Sequence, residues 1–86
     1  MTVTQVEWIE EVVEVEARFT PRGMRPMAFV WQGRRRPVRQ VTCVWTERDG
    51  QLVRRCFALT DGEAAYELRF EPRSLRWQLT RLALEG

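Results

Sequence analysis

Residues 45–70 read WTERDGQLVRRCFALTDGEAAYELRF, and two Asp-Gly pairs, Asp49-Gly50 and Asp61-Gly62, cut the stretch into runs of strand length. Asp-Gly suits a tight reversal because glycine reaches positive φ without a Cβ clash and the aspartate oxygen bonds the backbone just beyond it. LVRRCFALT and AAYELRF are rich in branched and aromatic side chains, and are expected to be strands joined by hairpins.

Register decides where the two cysteines go. A two-residue turn at Asp61-Gly62 pairs Phe57 with Tyr66 and Leu59 with Ala64, and makes Val53, Phe57 and Leu59 the inner face. A two-residue turn at Asp49-Gly50 would set Cys43 against Cys56 but send Trp45 to the side away from Phe57. A three-residue loop over Arg48-Asp49-Gly50 instead pairs Trp45 with Val53 and Val41 with Phe57. A slip of one residue moves a whole apolar set to the wrong side, so this last register is the expected one. It predicts two free thiols, with Cys43 in the core and Cys56 on the outer face.

The pattern extends in both directions. In EVVEVEARF, Val13, Val15, Ala17 and Phe19 alternate with charged residues, the period of a half-buried strand. TPRGMRP breaks that strand, and MAFVW puts Met27, Phe29 and Trp31 on one face. QGRRRP turns the chain into PVRQVTCVW, where the three-residue step from Val38 to Val41 requires a bulge near Arg39 and Gln40. In the last segment, RWQLTRLAL, Leu75, Leu79 and Leu82 also fit a helix face that Ser74 could cap. Strand is the reading adopted, because Trp77 and Leu79 then face Phe70 and Leu68.

The whole is read as one all-β domain over residues 1–86, an antiparallel meander of about six strands spanning 12–84 after an acidic N-terminal extension, 1–11. Its apolar face carries Val15, Phe29, Trp31, Trp45, Phe57, Tyr66, Phe70 and Trp77, and has to be covered. Curling into a small barrel or half-barrel ranks first, ahead of a cap made by Trp8 and Ile9 or packing against a second copy.

All fourteen basic residues are Arg, and the chain has no Lys, His or Asn, a bias that fits a GC-rich and heat-adapted source. The net charge of +2 is small, but its distribution is uneven. Residues 1–17 hold five Glu and no base, whereas 18–39 hold seven Arg and no acid. Such strips are expected to pair across neighbouring strands. The N-terminal segment has acids where a secretory signal needs an apolar core, and no apolar run is long enough to span a bilayer, so a cytoplasmic protein without membrane contact is expected.

The motifs Phe29-x-Trp31-x-Gly33, Val38-x-x-Val41-x-x-x-Trp45, Tyr66-x-Leu68 and Trp77-x-Leu79 resemble those of a family of small uncharacterised bacterial β domains. The resemblance covers the chain from about residue 12 onward and departs at Arg36, where such domains often carry an aromatic residue or His. These segments are also distantly similar to C-terminal parts of bacterial Y-family polymerase-like proteins, which implies a DNA-repair context. The shared residues are packing residues, and the resemblance implies no catalytic group.

Catalysis is not expected. The chain has no His for proton transfer, its single Ser lies in a turn, and both Asp residues are turn formers. Its two Cys match no zinc or redox spacing, and no Gly-rich phosphate loop follows a strand, so neither metal nor cofactor is expected. Two readings remain. The first is a protein-interaction or structural module that docks a protein partner or a second copy, as a homodimer, through an edge strand or through Trp8 and Ile9. The second is a nucleic-acid-binding accessory module using the anion-binding candidates Arg34, Arg35, Arg36 and Arg39.

Overall fold

The structure, a computed structural model, describes residues 4–85. Seven strands form one antiparallel sheet: β1 (Thr4–Thr20), β2 (Gly23–Trp31), β3 (Arg34–Pro37), β4 (Gln40–Asp49), β5 (Leu52–Thr60), β6 (Ala65–Glu71) and β7 (Arg76–Glu85). Their order is β3-β2-β1-β7-β6-β5-β4. The all-β architecture is as expected, with one strand more. The extra strand is RRRP itself, which folds back on β2 through the left-handed Gln32-Gly33 pair instead of serving as a loop.

The residues expected to be an acidic extension are, from Thr4 onward, the first half of β1; residues 1–3 lie outside the described part. Nothing from Thr4 to Thr20 is Gly or Pro, so the strand runs on. Its first half pairs with β7 and its second half with β2, which makes β1 the hinge of the sheet. A bulge at the Trp8/Glu11 step bends it.

A sheet bent this way covers itself. Phe29 of β2 meets Tyr66 of β6 edge to face at 5.0 Å, although two strands separate β2 from β6 in the sheet. Phe29, Phe57, Leu59, Leu68 and Leu79 are essentially sealed from solvent. The sheet nevertheless does not close: β3 and β4 are its two edges, joined only through Val38 and Arg39. The Val38 amide donates to the Met27 carbonyl of β2 (2.9 Å), and the next amide, of Arg39, donates to the Thr60 carbonyl of β5 (2.8 Å). This two-residue strap draws the far sides of the sheet together.

Several registers match expectation and several do not. Trp77 faces Phe70 and Leu79 faces Leu68, and the last segment is a strand. Between β5 and β6 the turn is the four-residue 61–64 loop, not a two-residue one, so Phe57 pairs with Leu68 and Leu59 with Tyr66. A shift of two keeps every side chain on its face. The cause is Asp61, whose Oδ1 accepts the amides of Glu63 (2.8 Å) and Ala64 (2.9 Å) and widens the turn.

The β4–β5 hairpin departs more. Its loop is Gly50-Gln51, with Gly50 at φ +61, and Asp49 pairs with Leu52. The bulge lies at Thr42, not near Arg39 and Gln40. Together these set Val44 against Phe57 and Trp45 against Cys56. Trp45 therefore faces outward, half-buried, and Cys43 is exposed on that same outer side, not in the core. The reason is local: the extra residue at Thr42 inverts alternation, and the inward positions go to Val41 and Val44. A second bulge, at Met27, leaves that side chain 42% exposed and gives its expected inner place to Pro26, which is fully buried. Proline fits where the ladder is already interrupted.

Because Phe57 is buried and Trp45 is not, the two should differ sharply in stability. Phe57→Ala is expected to destabilise by about 3–5 kcal/mol and Trp45→Ala by less than half of that, read from urea unfolding midpoints.

Candidate functional site

The strap at Val38 and Arg39 ties the edges at one point and leaves them apart elsewhere. β3 pairs with β2 only from Ala28 to Trp31, so among the described residues β2 from Gly23 to Pro26 has no neighbour on that side, and β4 has only β5. Between these two free edges lies a groove of about 500 Å³. Met24, Met27, Val41, Val44 and Phe57 supply its apolar lining, and Arg18, Arg22 and Arg25 stand among them. A smaller groove of about 160 Å³ continues past Pro26 and Met27 to Val38 and Arg39. Val44 is 48% exposed there, and Phe19, the cross-strand partner of Met24 at the hairpin tip, is 73% exposed.

The four arginines singled out from sequence are not brought together. Arg35 forms a bidentate pair with Glu16, at 2.6 and 3.1 Å, which holds the Glu16 carboxyl below its ordinary pKa. This is one case of the acidic and basic strips pairing as expected. Arg36 turns inward, its guanidinium 5.0 Å from the Trp31 ring centroid and 3.3 Å from the Tyr66 hydroxyl, to which it donates. Arg39 lies against Gly62, where any Cβ would come within 3.1 Å of its Nη1. Arg34 is exposed. The groove arginines 18, 22 and 25 were part of the basic strip but not of that candidate set.

Trp8 and Ile9 also separate. Ile9 packs on the core, whereas Trp8 is 76% exposed, with Arg81 stacked 5.5 Å from its ring centroid. Glu11 accepts the Trp31 indole N–H at 3.0 Å.

A polar cluster sits beside the strap. The Tyr66 hydroxyl donates to Asp61 Oδ2 (3.2 Å) while it accepts from Arg36. Burial raises the Tyr66 pKa, and the neighbouring Asp61 carboxylate adds to that. Burial also opposes ionisation of Asp61. The Ala64 and Glu63 amides, the Tyr66 hydroxyl and the Arg36 charge outweigh it and hold the carboxyl below its ordinary value. This cluster braces a turn, and no nucleophile stands within it.

On the outer face, Cys56 lies in a cross-strand row between Trp45 and Arg69. Arg69 binds Glu10 (2.8 Å), Gln78 (2.8 Å) and, at 3.7 Å, Glu47. Burial, with the Glu47 charge and hydrogen bond, pushes the Cys56 thiol up to about 11. Cys43 and Cys56 are both free. Among the described residues no three His, Cys, Asp or Glu side chains are grouped to hold a metal, and no helix is long and apolar enough to cross a membrane.

The fold and the seam define a class: a small, incompletely closed β-sheet domain with one groove between unpaired strand edges. No family model, curated protein or solved structure matches the chain.

Two outcomes follow from these environments. A disulfide-exchange reagent at about pH 8 is expected to titrate Cys43 rapidly and Cys56 only after denaturation, since a raised thiol pKa and burial both withhold the thiolate. Asp61 has a lowered folded-state pKa, so its contribution is present above its unfolded value, near 3.8, and is lost as pH falls through the folded one. Asp61→Asn is expected to flatten the acid limb of the stability–pH curve. At neutral pH it should cost about 1–2 kcal/mol, measured by thermal melts across the acid range.

Proposed function

We propose that this chain is a non-catalytic protein-interaction module, acting in the cytoplasm, that takes an extended segment of a protein partner into the seam between β2 and β4. The observation that carries the reading is the pairing of two free strand edges with an apolar floor in one groove. A free edge presents backbone donors and acceptors that an added strand satisfies, and the side chains below it select what is added. Two exposed apolar residues, Met27 and Val44, line the groove, and Phe19 pairs with Met24 beside it.

The nucleic-acid reading has less support. Arg35 is held by Glu16, Arg36 is turned onto Trp31 and Tyr66, and Trp31 is 8% exposed, so the Arg-rich hairpin offers no stacking ring. Self-association through Trp8 keeps the support of an exposed indole.

Selection of random displayed peptides against the immobilised chain is expected to enrich sequences that slow amide exchange along Cys43–Thr46 and bind more weakly to Val44→Ser. The reading fails if nothing is enriched. It fails equally if binders are lost on Trp8→Ala but keep their affinity for Val44→Ser, or if the chain instead retains nucleic acid that is released on substituting Arg34, Arg35 and Arg36 by Ala.

A further inference from the structure

We infer that the segment taken into the seam is acidic, with Asp or Glu alternating with aliphatic side chains, an inference that rests on the seam being the binding site. Arg18, Arg22, Arg25 and Arg39 line the two grooves, and no Asp or Glu among the described residues lines either one. Among the described residues, ion pairs engage Arg35, Arg69 and Arg81 and none of these four. The lining of this cleft therefore carries positive charge with no acid beside it.

Arg18 and Arg25 are moreover direct cross-strand partners on β1 and β2, both exposed. Like charges placed opposite one another destabilise a strand pair, and a carboxylate set between them removes the repulsion. The apolar requirement comes from the floor: Met24, Val41 and Val44 meet whatever side chains point inward. A strand sends successive side chains to opposite sides, so a segment bonded along the β4 edge places every second residue on that floor and the others toward the guanidinium groups.

Other occupants fit less well. A single-stranded nucleic acid supplies negative charge but asks for exposed aromatic faces, and of the rings at the seam Phe57 is buried, leaving Phe19 alone. A second copy carries its acidic alternation on β1, but the apolar residues between those acids, Val13, Val15 and Ala17, already pack on its own core and cannot also meet the floor of the seam.

The test uses the full chain and four fluorescent probes followed by anisotropy. They are heptapeptides alternating Glu with Val, Lys with Val and Thr with Val, and a thymidine oligonucleotide of similar length. The Glu–Val peptide is expected to bind about tenfold more tightly than the Lys–Val and Thr–Val peptides and to weaken as salt is raised. Arg22→Ala with Arg25→Ala is expected to cost it about tenfold, whereas Arg34→Ala leaves it unchanged. Val44→Ser should weaken all peptides, with thermal melts confirming that each variant is folded. Thr–Val or Lys–Val binding as tightly as Glu–Val, with Val44→Ser still weakening it, overturns the acidic assignment and leaves the seam as the site. Glu–Val binding indifferent to Val44→Ser, or no peptide binding at millimolar concentration, overturns both. Preferential binding of the oligonucleotide, lost with Arg22 and Arg25, replaces the partner with a nucleic acid.

Discussion

A lone sheet with one greasy face has nothing to bury that face against except itself, and this constraint organises the whole molecule. The seven strands must curl until β2 packs on β6, as Phe29 does on Tyr66. Curling needs places where a strand can bend, and the bulges of β1, β2, β4 and β7 supply them. The bend is then held by the Val38–Arg39 strap, whose amides reach β2 on one side and β5 on the other. Because the strap spans only two residues, it closes the interior without zipping the edges. The open seam follows from the way the core is covered.

The outer face is settled by arginine. Arg69 gathers Glu10, Glu47 and Gln78, which belong to three other strands, and Arg35 holds Glu16 across β2. A planar guanidinium with several donors can serve more than one acceptor at once, as a lysine point charge cannot do with the same geometry. Individual pairs on an exposed surface contribute little, but the Arg69 group covers Cys56 and shields the sheet between β1 and β4. The same residue type left without acids at the seam is what gives that cleft its sign.

Much of the fold was legible because alternation and turn chemistry are local. The facing of Trp77 with Phe70 and of Leu79 with Leu68, the strand character of the last segment, and the inner face of Phe57 and Leu59 all follow from period-two patterning. The seam was not legible, since its lining comes from β1, β2, β4 and β5, far apart in the chain and joined only by the curl. Its arginines stood in the basic strip, but which of them would be free depended on where Glu16, Tyr66 and Trp31 came to rest. The local signal that drew attention, four closely spaced arginines in the hairpin and its exit, marked residues that mostly serve the fold.

By itself the sequence determined that the chain would be all-β, that Phe29, Trp31, Phe57, Tyr66, Phe70 and Trp77 would share an interior, and that Asp61 and Gly50 would sit in turns. Only the tertiary structure decided where the bulges fall, and hence that Trp45 and Cys43 face outward and Val44 inward. A bulge costs one residue of register and gains curvature. Whether that exchange is favourable at Thr42 or near Arg39 depends on what the bent sheet then packs against, which no neighbouring residue in the chain specifies.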